Sequence, residues 1–403
     1  MLDLLWVALT FLGALAALAN AASLSQGLRL RRGVRAGLRL ASGAYMPFVV
    51  VLLPVRGTDA GMEANVRAIL AQSYAAWRLM LIVDDAADPA AELAGRLARE
   101  TSSVAIEVRI ADPMPLPGKV SALRSALAHL RPGDEVVVFA DADIRPAADW
   151  LRQLVQPLAD ANVGAVTGFR WYVPPEPRFW SLVRSEWDAV GGNVLFDERR
   201  NYLWGGSTAI RLETLRALRM EERWRSVLSD DLVLTAVLRE ASLRIAYAPP
   251  ALVSTFEGCD RRGCLEWCWR QMTMAVLYQP HLQRYAALAF AVFNGSVLLG
   301  IASIALTIPF GPPFLLPATL FLLTLPSTVG KAGVRRRAFF AAAPHVAAAW
   351  RAPGWLAALA ALTVPWVMMV GLLRTRRPTV VAWRGRRYDV RDPMNVRLLG
   401  SPD

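Results

Sequence analysis

The apolar and polar positions divide the chain into three stretches. The first is an uncharged run, LLWVALTFLGALAALANAASL at 4–24, long enough to cross a bilayer. The middle alternates short apolar runs with amphipathic ones. FVVVLLPV (48–55), RLMLIVDD (78–85), VAIEVRIA (104–111) and EVVVFADAD (135–143) read as buried strands. MEANVRAILAQ (62–72), PAAELAGRLARE (89–100) and GKVSALRSALAHL (118–130) read as the helices between them. This alternation predicts an α/β domain with a mostly parallel sheet and helices on both faces. Long apolar runs then return at 285–310, 313–330 and 355–373. The expected division is an anchor at 1–26, an α/β domain at 27–284, transmembrane and interfacial helices at 285–373, and a tail at 374–403. There is no internal repeat and no low-complexity linker.

Charge fixes the expected orientation. The chain has 403 residues, 45 Lys and Arg against 33 Asp and Glu, a net charge of +12, and 55% hydrophobic residues. Basic residues follow the first apolar run, in RLRRGVRAGLR at 29–39, instead of preceding it. That is the mark of an uncleaved anchor whose C-terminal end is cytoplasmic, not of a signal peptide. Lys331, Arg335, Arg336 and Arg337 place the segment between the last two runs on the same side, where it would lie in the interface. Arg374, Arg376 and Arg377 put the tail there too, which four complete crossings would forbid. Pro365 is the expected break that turns the last segment into a re-entrant or tilted hairpin. The basic balance suits anionic lipid headgroups. Its clusters sit beside the apolar runs and form no patch on the α/β domain, which argues against nucleic acid. Cys259, Cys264 and Cys268 have no histidine near in sequence and read as free thiols instead of zinc ligands.

Open α/β sheets bind ligands at the carboxyl ends of their strands. The polar residues there are Arg56 and Asp59, then Asp84, Asp85 and Asp88, then Asp141 and Asp143. Neither G-x-G-x-x-G after a strand nor a G-x-x-x-x-G-K-S/T loop occurs. Lys119 in PLPGKVSAL stands at a helix start, a position that favours phosphate. Strand alternation would point Asp141 and Asp143 the same way, as a pair for a hard divalent cation that also takes diphosphate oxygens. SDDLVLTAVL (229–238) sets Asp230 and Asp231 at a helix start that Ser229 can cap. LEWCWRQM (265–272) gathers Trp267, Trp269, Arg270 and Gln271 just before the membrane runs, and its Arg-Gln pair suits phosphate oxygens.

In this order, a strand-ending Asp cluster, D-A-D, D-D and W-C-W-R-Q resemble the membrane-bound GT-A glycosyltransferases of family 2, and most of all the ceramide glucosyltransferase branch, family 21. LLPVRGTDAGMEANVRAILAQSY, DDAADPA, LWGGSTAI and the tail VVAWRGRRYDV resemble further elements of that branch. The resemblance implies a GT-A, Rossmann-like domain with N-terminal and C-terminal transmembrane helices. It implies an inverting hexosyltransferase that takes sugar from a UDP-sugar, UDP-glucose first, to the hydroxyl of a membrane lipid such as ceramide, while the Ala-, Arg- and Leu-rich composition points to a bacterial inner membrane over Golgi or endoplasmic reticulum. On that reading Asp85 and Asp88 lie at the uridine and Lys119 on the nucleotide or phosphate side. Asp141 and Asp143 hold ribose and Mg²⁺ or Mn²⁺. Asp231 is the general base with Asp230 beside it, and Trp267, Arg270 and Gln271 meet the departing diphosphate. The family's terminal R-W is here Arg270-Gln271, and Val55-Arg56-Gly57 stands where the branch often has Leu-Lys-Gly. Both departures bear on the acceptor. Diacylglycerol, a hopanoid, a polyprenyl phosphate or a growing polysaccharide remain alternative acceptors, and a non-catalytic membrane scaffold is the reading from another class.

Overall fold

The structure, a computed structural model, describes residues 2–39, 43–112, 116, 118–375, 378–383 and 385–400. Arg376, Arg377, Arg384, Pro115 and Pro117, which the sequence reading invoked, lie outside the described residues.

The central sheet has seven strands: β1 (Val49–Val55), β2 (Trp77–Val83), β3 (Ala105–Ile110), β4 (Val136–Ala140), β5 (Val163–Tyr172), β6 (Ser207–Arg211) and β7 (Arg244–Thr255). Their spatial order is β3-β2-β1-β4-β6-β5-β7. β1 to β4 are mutually parallel, and β6 runs antiparallel to both β4 and β5. β1 and β4 are apolar throughout, and β2 is apolar apart from the buried Arg78, because both faces are covered, as expected of central parallel strands. Three further strands, β8 (Val380–Trp383), β9 (Arg386–Asp389) and β10 (Arg397–Gly400), form a separate antiparallel sheet from the tail.

The helices of the first two-thirds are α1 (Leu2–Gly37), α2 (Met62–Leu70), α3 (Pro89–Glu100), α4 (Lys119–Leu127), α5 (Trp150–Val155), α6 (Phe179–Val190), α7 (Leu212–Ala217), α8 (Met220–Arg223), α9 (Asp230–Glu240) and α10 (Arg261–Tyr278). After them come α11 (Pro280–Phe310), α12 (Leu315–Leu322), α13 (Thr324–Ala342), α14 (Pro344–Ala349) and α15 (Gly354–Arg374). Two apolar layers, one on each sheet face, make the core.

Among the described residues, four helical stretches are long and apolar enough to cross a membrane: α1, most of α11, Pro312–Ala342 and α15. Three of them differ in detail from the sequence expectation. α1 does not end near residue 26. It continues to Gly37, and Leu30 and Val34 enter a core with Phe169 and Trp171 of β5 and Phe339 of α13. The basic segment of α13 is likewise docked on the α/β domain. Arg335 is buried and pairs with the buried Glu186 of α6 at 2.7 Å, and Phe339 packs on Phe169 and Trp171. Finally, α15 runs through Pro365 without a break. A proline costs its helix one hydrogen bond, and here neighbouring packing holds the helix together. One face, with Ala360, Val364 and Met368, lies against α6, α10 and α11, while Trp355, Leu359, Trp366, Val370 and Leu373 stay exposed. Both of its ends meet the α/β domain. Trp350, just before it, stacks on Trp171 at 5.0 Å, and Arg374 sits 3.9 Å from the Trp269 ring of α10.

The buried Arg335–Glu186 pair joins α13 to α6 of the α/β domain, and Arg336 also reaches Glu186 at 3.7 Å, so losing Glu186 strands a buried charge. Glu186→Ala should cost about 3–5 kcal/mol. The double change Arg335→Met with Glu186→Leu should recover most of it. Melting of the purified protein in detergent measures both.

Candidate active site

The site lies where the carboxyl end of β4 meets the amino end of β6. These strands are antiparallel, so Ala140 opposes Ser207, and Asp141 comes to face the turn Trp204-Gly205-Gly206. The turn needs both glycines. A Cβ on Gly205 would stand 2.3 Å from Asp230 Oδ2 and 3.0 Å from Lys119 Nζ, and one on Gly206 would stand 2.6 Å from Asp141 Oδ2.

Lys119 is the centre of this cluster. Its ammonium lies 2.8 Å from Asp141 Oδ1 and 3.2 Å from Asp230 Oδ2, and it donates to the Gly205 carbonyl at 3.2 Å. Burial opposes its charge, but Asp141, Asp230 and Asp231 outweigh burial and hold the ammonium well above the ordinary lysine range. Gly118, just before it, has φ +145°, a conformation closed to other residues, which aims the helix start at the cluster.

The two acidic residues at the start of α9 divide their tasks. Asp230 is buried against Lys119, and burial raises its carboxyl to about 6 despite that cation. Asp231 is only half-buried. Its Oδ2 accepts from the Gly205 amide at 3.0 Å, and its Oδ1 accepts from the Ser229 hydroxyl at 2.6 Å and the Leu232 amide at 2.8 Å. Ser229 caps the helix by accepting from Leu232, as its sequence position suggested.

Asp141 and Asp143 pair with different cations, Lys119 and Arg170. The strand stops at Ala140, so alternation no longer governs them. Asp143 pairs with Arg170 of β5 at 3.3 Å. Arg170 also meets Asp188 of α6 at 3.5 Å, and its guanidinium lies 4.5 Å from the Tyr172 ring, 5.1 Å from Trp204 and 5.8 Å from Trp267. Burial pushes Asp143 and Asp188 each up to about 6, against the pull of Arg170. Arg170 and Asp188 escaped the sequence reading because neither stands in a motif. The available signal was a lone charge inside the apolar run of β5 and another on the apolar side of α6.

Among the described residues no three His, Cys, Asp or Glu side chains converge on one point. A divalent cation would therefore take two carboxylates here and complete its shell from donor oxygens and water. Asp143 fits that role, since its Oδ1 is buried without a hydrogen-bond partner, a costly state that a ligand would relieve.

The other expected residues fall in two places. Asp88 caps α3 through the Ala90 amide and accepts the Gly57 amide at 2.8 Å, tying the turn after β1 to the end of β2. Asp85 is exposed and accepts from Ala87. Trp267 is buried edge-on to Tyr172 and Trp187. Arg270 and Gln271 are half-buried on α10, with Arg270 5.6 Å from the Trp383 ring of β8.

The profile of glycosyl transferase family 21 matches residues 9–396. The chain belongs to glycosyl transferase family 21. It is therefore a glycosyltransferase, and the parallel-dominated sheet is the fold expected of its GT-A domain. No curated protein matches significantly. Among solved structures, mannosyltransferase PcManGT from Pyrobaculum calidifontis, in complex with GDP-Man and Mn²⁺, is 21% identical over 90% of this chain and 99% of its own, with a TM-score of 0.47. Glucosyl-3-phosphoglycerate synthase from Mycobacterium tuberculosis, in complex with phosphoglyceric acid, is 19% identical over 53% of this chain and 73% of its own, with a TM-score of 0.34. Likenesses this distant assign neither donor nor acceptor.

Burial raises Asp143, Asp188 and Asp230 each to about 6, above the ordinary aspartate value. Protonation below that pH weakens their pairing with Lys119 and Arg170, so kcat/KM should fall on the acid side with an apparent pKa near 6. Arg170→Met removes the cation that opposes burial at Asp143 and Asp188, so the acid limb should move to higher pH. A pH–rate profile of the two proteins checks the direction.

Proposed function

We propose that the protein is an inverting, metal-dependent hexosyltransferase that moves hexose from a UDP-sugar, UDP-glucose first, to the hydroxyl of a membrane lipid such as ceramide. One observation carries the reading: Lys119 bridges Asp141 at the tip of β4 and Asp230 at the start of α9, with Asp231 beside them on the Gly205 amide. A donor site and a base are thereby joined in one cluster.

The nucleotide lies over the ends of β1, β2 and β4, with Asp85 and Asp88 on the uridine side. Asp141 and Asp143 would hold Mg²⁺ or Mn²⁺ beside the donor diphosphate, and the cation would supply charge neutralisation for the leaving group. Lys119 meets the same diphosphate. Asp231 is the general base: its carboxylate takes the proton of the acceptor hydroxyl as that oxygen bonds to the anomeric carbon and the bond to the diphosphate breaks. One displacement inverts the centre, and the diphosphate needs no second carboxyl to protonate it, unlike the leaving group of a glycosidase. Arg270, Gln271 and Trp267 receive the departing diphosphate. Asp230 stays paired with Lys119 and keeps it aimed.

The membrane arrangement favours a lipid acceptor. With both ends of α15 against the catalytic domain, we read three crossings, by α1, α11 and Pro312–Ala342, with α15 lying in the interface. Its exposed Trp355, Leu359 and Trp366 then enter the acyl layer. An odd number of crossings puts the tail on the same side as the catalytic domain, and the basic residues make that side cytoplasmic, as at a bacterial inner membrane. Three crossings offer little wall for a polymer channel, which disfavours a processive synthase.

UDP release by purified protein with UDP-glucose, ceramide and Mn²⁺ tests the reaction. Release should depend on the acceptor and fall about 10²–10⁴-fold in Asp231→Asn, and donor bound without any turnover would favour the scaffold reading. For the topology, Thr379→Cys in sealed vesicles should react with an impermeant maleimide only on the face that carries the catalytic domain. Labelling from the opposite face would restore a fourth crossing.

A further inference from the structure

The chain does not leave the site after α15. Strands β8 to β10 fold back on the carboxyl edge of the main sheet and touch it at both ends of the proposed active site. On the donor side, Arg386 of β9 pairs with Asp84, which directly follows β2, at 2.9 Å. Each of these side chains is 17% exposed. Two residues on, Tyr388 is buried, and its hydroxyl would lie 3.4 Å from a Cβ on Gly118, the residue that sets Lys119. Burial is the largest influence on that phenol and raises it, and Arg386, Arg56 and Asp84 all act on it, so these groups share one patch. On the base side, the Val396 amide donates to the Ser226 carbonyl at 2.8 Å. The Tyr278 hydroxyl donates to the Pro393 carbonyl and accepts from the Leu228 amide, next to Ser229 and Asp231. Leu116, Leu228, Tyr388, Val390 and Val396 form a small core of their own between the two ends.

We propose that the C-terminal sheet is a wall of the donor-nucleotide site and that Arg386 binds the nucleotide of the sugar donor. This rests on the nucleotide-sugar reading above. A guanidinium carries five donors in a planar fork, so an arginine held by one carboxylate can still meet diphosphate or ribose oxygens. Arg386 is held in that way at the end of β2, on the edge where open α/β sheets take ligands. The same sheet grips Ser226 and Leu228, so nucleotide bound at Arg386 also steadies the segment that carries Asp231. A tether alone would need the Asp84 pair and the small core. It would be indifferent to nucleotide.

The test uses the full chain in detergent with UDP and Mn²⁺ as probes. UDP binding is measured by calorimetry for the wild type, Arg386→Gln, Arg386→Lys and the exposed charge control Arg262→Gln, with melting temperature alongside. Arg386→Gln should weaken UDP about tenfold to a hundredfold, Arg386→Lys should weaken it less, and Arg262→Gln should leave it unchanged. Hydrogen exchange of wild-type Val380–Trp383 and Arg386–Asp389 should slow when UDP and Mn²⁺ are added, which needs no variant to fold. Equal UDP affinity in Arg386→Gln, or exchange in both strands that ignores UDP, overturns this inference and leaves the proposed reaction standing. A wild type that binds neither UDP nor GDP with Mn²⁺ overturns both.

Discussion

One partly buried ammonium holds the acidic site together. Asp141, Asp230 and Asp231 come from two distant parts of the chain and converge beside a turn of two glycines. Unpaired, such charges would repel one another and resist burial. Lys119 makes their approach tolerable, and it can do so because Gly118 permits a backbone angle that points α4 at them. The same logic recurs one layer away. There Arg170 stands between Asp143 and Asp188 and is sandwiched by aromatic rings. Two cations thus separate the acidic groups into two sets, with Asp141 and Asp143 straddling the boundary.

This division bears on how a donor would bind. A diphosphate brings negative charge and a divalent cation brings positive charge, so together they change the local balance little. Lys119 is already within reach of Asp141, and a diphosphate placed there would share the ammonium that the carboxylates now hold. Burial raises the carboxyls of Asp143 and Asp230 in spite of the cations beside them.

Much of the fold was legible because central parallel strands are apolar runs of limited length. β1, β2, β3 and β4 fall within two to three residues of the runs that announced them, and Asp88-Pro89 marked the start of α3. The D-D helix start was equally plain, since Ser229 caps where its spacing required. What alternation left out was the separate partners of Asp141 and Asp143, Lys119 and Arg170, because a strand period has no authority one residue past the strand end. Arg170 and Asp188 were silent for a different reason. They matter through contacts among β4, β5 and α6, and no local spacing encodes those contacts.

The membrane half shows the limit of hydropathy more sharply. α15 is as apolar as a crossing helix, yet its apolar residues serve two surroundings at once. Ala360, Val364 and Met368 face protein, whereas Trp355, Leu359 and Trp366 face outward. Hydropathy averages over both faces and cannot separate a helix with lipid all round from one that lies between lipid and protein. The positive-inside count already disagreed with four crossings, and the packed ends of α15 supply a physical reason for the disagreement. The helix touches α6, which carries Asp188, and α10, which carries Trp267, and on the proposed three-crossing reading it does so along the interface. An amphiphilic acceptor entering beside α15 would then meet, within one layer of packing, the residues that hold Asp143 in place.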